Sequence, residues 1–311
     1  RLHLKLDTLV TRILFDEGRR AIGVEYLEGA RLYRAHTKAS PKRSSCKQVR
    51  VTGEVIISGG AFNSPQILML SGIGPEEELR RHAIPVVFNL PGVGKNLQDR
   101  YEIGVVYRGK NNWGVLKNAT YSSGDRQYES WKETHDGVYA TNGTILSVVK
   151  KSSSDRDLPD LILLALLGYF RGYYPGYSND IRDNLNTLTW AVLKAHTNNT
   201  AGTVTLNSSD PCDVPAINFH YFDEGNDKDQ EDLESVVRGV QFVRELAKPL
   251  AQLNDGLVEE IPGPAYQDES ALKDYIRTHA WGHHASCTCK IGPIENGGVV
   301  NGDFEVHGTS R

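Results

Sequence analysis

One stretch, EVIISGGAFNSPQILMLSGIG at residues 54–74, constrains the fold of this chain more than any other. Val55, Ile56 and Ile57 form a short, continuous apolar run of the kind buried in a parallel sheet. Gly59 and Gly60 break that run. Ser64 is a favourable N-cap, Pro65 suits a first helical position, and Gln66–Leu70 continues as helix. Strand, glycine turn and helix N-terminus let backbone come close to a ligand and aim the positive end of a dipole at it. A plain strand-to-helix connection has the same pattern, so spacing alone leaves both readings open.

The segments on either side have a different texture. LHLKLDTLVTRILF alternates apolar and polar positions, and AIGVEYLEG returns as a second strand, so residues 1–28 read as a small sheet. The polar, basic run at 34–47 (RAHTKASPKRSSCK) reads as an exposed loop. Residues 85–99 (PVVFNLPGVGKNLQD) are turn-rich, but GVGK lacks the remainder of a phosphate-loop motif. From 101 to about 280, short β-like runs (104–108, 143–149, 161–167, 187–195, 203–207 and 216–219) are separated by Gly, Asn, Asp, Ser and Pro, which favours an antiparallel sheet. Helical spacing of apolar residues predicts helices at 232–246 and 268–281. The domains expected are therefore 1–100, 101–280 and a return segment, 281–311.

Composition removes several function classes. The 311 residues, 39% hydrophobic and 24% charged, are enough for two packed domains with real cores. A net charge of −4 with no basic stripe argues against a nucleic-acid partner. The longest apolar run, 161–167, is too short to cross a bilayer. Cys46, Cys212, Cys287 and Cys289 are too scattered for a disulfide scaffold. With no second pair at zinc spacing, the C-x-C at 287–289 reads as buried, unpaired thiols, and no metal site is assigned. Sequons at Asn118, Asn142, Asn198 and Asn207 favour a secreted glycoprotein, although no signal peptide is visible. Arg1 is not a natural start, so a processed or incomplete chain is expected.

Chemistry concentrates in WGHHASCTCKIGP at 281–293. Histidine is the side chain best suited to take a proton from an alcohol near neutral pH. His279 falls on the apolar face of the preceding helix and reads as a packed core residue. His283 and His284 lie just beyond that helix, where either side chain can face a cleft.

Five segments in order resemble the glucose-methanol-choline (GMC) oxidoreductases. GAFNSPQILMLSGIG (60–74) matches the family's second signature. LVTRILF (9–15), PGVGKNLQD (91–99), GTVTLNSSDPCDVPAINFHYF (202–222) and HHASCTCKIG with VVNGDFEVHGTSR (283–292, 299–311) resemble further family segments. The resemblance implies an α/β plus α+β fold: an incomplete Rossmann-like FAD-binding domain, and a substrate domain built on an antiparallel sheet flanked by helices. It implies oxidation of a small-molecule alcohol to an aldehyde or ketone, with hydride passing to FAD and a histidine taking the hydroxyl proton. Aligning the family's H-P-x-G-T-C places that histidine at His284 and makes His283 a structural neighbour. Ala285, Cys287 and Ile291 depart from the family's proline, glycine and methionine. Cysteine lacks glycine's freedom at positive φ, which leaves the shape of that loop open. For the cofactor, Val10 matches the residue at the adenine ring and Gly59, Gly60 and Ala61 the turn near the adenosine diphosphate. Asn96 and Asp99 match a loop near the flavin, or are turn residues without ligand contact.

The family's first glycine-rich βαβ unit is expected upstream of Arg1, and its second catalytic position downstream of Arg311. Alternatives on the same resemblance are an FAD-containing lyase or photoenzyme, or an inactive fragment with a binding or structural role. The electron acceptor, oxygen or another, is left open. So is a homo-oligomer, because YFRGYYPGY (169–177) suits a pocket wall, a subunit contact or a packed loop.

Overall fold

Alternation of apolar and polar side chains builds the first sheet in the computed structural model, which describes residues 2–41 and 44–310. Strands β1 (Thr8–Phe15) and β2 (Ala21–Glu28) pair antiparallel, Thr8 opposite Glu28, and β3 (Lys47–Arg50) joins the free edge of β2. Of the loop expected at 34–47, residues 42 and 43 lie outside the described residues; most of the others are exposed. Helix α1 (Gly60–Leu70) packs on β1 and ends at Ser71, whose Oγ accepts the Ile13 N–H at 2.8 Å. Short parallel strands β4 (Ile73–Gly74) and β5 (Phe88–Asn89) flank α2 (Glu76–Arg81). Ile13, Leu68, Met69, Ile73, Leu79 and Leu90 are the centre of this core.

Two expectations for the 54–74 stretch change. Residues 55–57 form no strand, and Ile56 is 78% exposed. A strand exists only where another segment accepts its backbone hydrogen bonds, and none of the described residues pairs with it. Helix α1 also begins at Gly60 with Gly59 as N-cap, so Pro65 sits inside the helix and Ser64 is not the cap. An interior proline has no N–H and leaves the carbonyl four residues earlier without its donor. That carbonyl belongs to Ala61, and Thr288, only 2% exposed, donates its hydroxyl to it at 2.6 Å. Replacing Thr288 by valine keeps the shape but leaves the Ala61 carbonyl unpaired. We expect a loss of roughly 1–3 kcal/mol in urea unfolding, and no change would mean another donor takes over.

The chain continues through β6 (Glu102–Arg108), α3 (Arg126–Thr134), β7 (Thr144–Lys150), β8 (Leu161–Leu166), α4 (Tyr177–Asp183) and β9 (Thr187–Lys194). After the antiparallel pair β10 (Thr203–Thr205) and β11 (Ala216–Asn218) come α5 (Glu231–Ala247), β12 (Val258–Ile261) and α6 (Glu269–His279). The antiparallel sheet expected from the turn spacing has the order β12-β6-β9-β8-β7. Every residue of central strand β9 is buried. Helix α5 covers the sheet with Leu233, Val236, Val240 and Val243. Gly239 permits the close approach, since a Cβ there would stand 2.5 Å from a Val192 methyl. Among the described residues no helix is long and apolar enough to cross a membrane.

Contacts divide the chain into two compact units, with boundaries that differ from the expected ones. The first takes the chain up to Gln98, Asn199–Gly225 and everything from Ala285; the second takes Asp99–Asn198 and Asn226–His284. The β10–β11 pair, expected inside 101–280, belongs to the first unit because Gly202 bridges Leu97 and the Leu206 N–H donates to Glu78 at 2.8 Å. Residues 281–284, expected in the return segment, stay in the second unit because Trp281 and Glu102 exchange backbone hydrogen bonds of 2.8 and 3.0 Å.

Candidate functional site

In the first unit the candidate cofactor residues gather around the start of α1. Gly60 has φ +80°, a conformation glycine adopts without strain, and nothing lies within 4 Å of where its Cβ would be. Gly59 and Gly60 are exposed and Ala61 is half-buried. The helix N-terminus carries no side-chain cap and no acidic residue in its first turn, so its N–H groups and dipole are available to an anionic group. Val10 sits on β1, the strand against which α1 packs. Asn96, at φ +61°, donates weakly through Nδ2 to the Cys287 carbonyl at 3.4 Å. Around it the loop is tied to the segment after His284: Gly94 N–H donates to Thr288 O at 3.0 Å, and Gln98 and Ser286 exchange bonds of 3.1 and 2.9 Å.

Beside β1 and α1 the same unit holds a largely apolar cavity of about 790 Å³, lined among others by Ile13, Leu68, Ile73, Val300 and residues 55–57. Cys289 also lines it, and burial pushes its thiol up to about 11, which makes it an inert core group. Cys287, expected to be buried, is exposed and held at φ +74°, the left-handed conformation in which a cysteine is strained. Among the described residues no disulfide joins any of the four cysteines.

In the second unit Asp99, 7% exposed, fixes the main chain at the candidate base. Its Oδ1 accepts the N–H of Arg100 and the N–H of His284, both at 2.7 Å. Gly282 makes room for this carboxylate, since a Cβ there would stand 2.4 Å from Asp99 Oδ2. The His284 side chain itself stays 39% exposed. Val10, Gly59, Gly60, Ala61 and Asn96 thus belong to one unit, and Asp99 and His284 to the other.

The sequence reading missed Glu102. It heads β6, is 1% exposed, and projects its Oε1 to 2.8 Å from His283 Nδ1 and 3.7 Å from His284 Nε2. The two imidazole rings lie 4.0 Å apart, and Tyr173 packs on His283 at 4.8 Å, edge to face. Burial, and then the Asp99 charge, push Glu102 up to about 8. Burial, and then the His284 charge, hold His283 below the usual histidine range. Both shifts favour a neutral carboxyl beside a neutral imidazole near pH 7 over an ion pair. A lone carboxylate opening the otherwise apolar run IGVVY is the signal that was available in the sequence. His279 is exposed rather than in the core: its ring stacks flat on Tyr275 at 4.1 Å, and helix α6 buries Leu272 and Ile276 instead.

Comparison with known proteins identifies the family. Two family models, both described as GMC oxidoreductase, match residues 2–102 and 198–311. A glucose dehydrogenase [FAD, quinone] from Drosophila pseudoobscura pseudoobscura is 30% identical, with 99% of this chain and 47% of that protein aligned. An oxygen-dependent choline dehydrogenase from Pseudomonas syringae pv. tomato is 31% identical over 99% of this chain and 50% of its own length. The structure of an FAD-dependent oxidoreductase from Chaetomium thermophilum superposes with a TM-score of 0.72 at 25% identity, covering 99% of this chain and 56% of that one. The chain therefore spans about half the length of the relatives it matches.

Proposed function

Because the chain belongs to the GMC oxidoreductase family, we propose that it serves the FAD-dependent oxidation of an alcohol to an aldehyde or ketone. The observation that carries the proposal is His284. Asp99 pins its backbone while its imidazole remains exposed just beyond α6, which is where a base must be both fixed and accessible. FAD, when bound, supplies the hydride acceptor. The residues present fit such a group. The uncapped N-terminus of α1 and the open side of Gly60 suit an anionic adenosine diphosphate approaching the backbone, with Ala61 and Val10 beside them.

On this reading His284 takes the proton from the hydroxyl oxygen as hydride leaves the carbon that bears that oxygen. Glu102 and His283 shape the ground on which that imidazole stands. The neutral carboxyl lies near it without placing a second charge beside the proton being moved. Asn96 and Asp99 act through the loop: Asn96 ties residues 94–98 to Cys287, and Asp99 holds His284. The substrate class is the alcohol, the chemistry common to the glucose and choline in the names of the relatives.

The test is the visible spectrum of the purified holoprotein mixed anaerobically with a panel of primary and secondary alcohols. Flavin bands that bleach with at least one alcohol are expected. A colourless holoprotein, or flavin bands that no alcohol in the panel bleaches, would sink the proposal.

A further inference from the structure

We propose that Glu102, His283 and His284 form a three-ligand site for a divalent cation of the zinc type, in which the cation and the alcohol compete for His284. Each side chain offers one donor atom, and the three atoms all lie within 4.8 Å of one another. Zinc binds imidazole nitrogen and carboxylate oxygen at about 2.0–2.2 Å, which sets the donor–donor edge of a tetrahedral site at roughly 3.3 Å. The observed separations from Glu102 Oε1, 2.8 Å to His283 and 3.7 Å to His284, bracket that value, and the imidazole nitrogens, within 4.8 Å of each other, reach it by rotation of the half-exposed rings.

An independent observation points to a ligand. Glu102 Oε1 is fully buried and makes no hydrogen bond of good geometry, although the Trp281 indole and two imidazoles face the carboxyl. A buried acceptor in that condition costs free energy that a cation would recover. All three ligands are also held from outside. Glu102 is locked to Trp281 through the backbone, Asp99 accepts the His284 N–H, and Tyr173 backs the His283 ring. Pre-positioning of this kind is what metal ligands require.

The donor set selects the cation. Two imidazoles and one carboxylate, the Glu102 proton leaving to solvent as the cation binds, suit Zn²⁺ or Cu²⁺, whereas Mg²⁺ and Ca²⁺ demand six or more oxygens. The imidazoles are 37% and 39% exposed, so the fourth position opens to solvent and would hold a water. Ligation at Nε2 fixes the remaining ring proton of His284 on Nδ1, leaving no basic nitrogen for a hydroxyl proton. The competition rests on the proposed function, but the binding does not.

Metal binding is measured first, on the purified protein, by Zn²⁺ competition against a chromophoric chelator and by the visible spectrum of added Co²⁺. One equivalent of Zn²⁺ and a tetrahedral Co²⁺ spectrum are expected, with no binding of Mg²⁺. Glu102→Gln and His283→Gln should each weaken Zn²⁺ at least about 10–100-fold, the loss seen even when only outer partners of a metal site are removed. His36→Gln and His135→Gln, at exposed histidines elsewhere, should leave it unchanged, and circular dichroism of every variant reports its folding. Equal Zn²⁺ affinity in the Glu102→Gln and His36→Gln proteins, with both folded, would overturn the site. Zn²⁺ should also raise the apparent KM for the alcohol that reduces the flavin, reversibly with chelator. Site-specific binding in a protein that oxidises no alcohol would sink the proposed function and leave the cation site standing.

Discussion

Replacing His284 by asparagine is expected to slow flavin reduction by an alcohol about 10²–10⁴-fold, the usual contribution of a positioned general base. That range corresponds to roughly 2.7–5.5 kcal/mol of barrier. The backbone N–H that Asp99 holds survives the substitution, so the loop should keep its course and the bound flavin its absorbance. KM should move far less than the reduction rate, because the imidazole acts on the proton in flight more than on the bound alcohol. The measurement is anaerobic stopped-flow reduction of wild type and variant at saturating alcohol. A variant within tenfold of wild type would assign the proton to another group and remove His284 from the proposal.

Asp160→Asn should be strongly destabilising although it lies outside the site. Lys194, at the end of β9, is buried with its side chain 2% exposed, and its Nζ lies 3.0 Å from Asp160 Oδ2 and 4.0 Å from Asp232 Oδ1. Ser152 donates to both Asp160 oxygens, at 2.6 and 2.7 Å, so the network joins the end of β9 to the segment between β7 and β8. Asparagine keeps the shape but leaves a buried ammonium with one distant counter-charge. Breaking such a pair from one side costs roughly 3–5 kcal/mol, and Asp232 should hold the loss near about 3. In a unit of this size that lowers Tm by roughly 6–12 °C. The double variant Asp160→Asn with Lys194→Met should recover part of the loss, because the Asp232 carboxylate then left without its cation still accepts the Asn198 N–H on both oxygens.

The same pair has a pH signature. Burial raises the Asp160 carboxyl, but hydrogen bonds from Ser152 and then the Lys194 contact outweigh it and hold the group at about 2, below its ordinary 3.8. A depressed carboxylate contributes stability that is present above 3.8 and is lost as pH falls toward 2. The Asp160→Asn protein should therefore lose less stability than wild type between pH 4 and about 2 when denaturant midpoints are compared. A single variant within about 1 kcal/mol of wild type at pH 7 would mean that Asp232 alone neutralises Lys194.

Local pattern made much of the fold legible. The two helices expected at 232–246 and 268–281 fall on α5 and α6, because apolar residues at helical spacing give α5 a face that covers the sheet and α6 a face that packs on α5. The short runs separated by turn residues fall on β6 through β11, because turn chemistry is written in a few adjacent residues. Where the reading failed, the deciding partner lay elsewhere in the chain. Residues 55–57 have strand chemistry but no strand to pair with among those described. Pro65 looks like a helix start until Thr288 is seen supplying the hydrogen bond that the proline cannot.

Motif order in the sequence alone identified the GMC resemblance, the glycine turn at 59–61 and His284 as the residue to examine, since each is carried by neighbours within one segment. Tertiary structure alone decided what surrounds that histidine. Glu102 precedes His284 by more than half the chain, and its meeting with His283 and His284 depends on Trp281 pairing with the first residue of β6. No local preference encodes that register. It follows from burying an apolar strand whose leading residue happens to be a carboxylate, so the environment of the proposed base is set by packing and not by the motif that contains it.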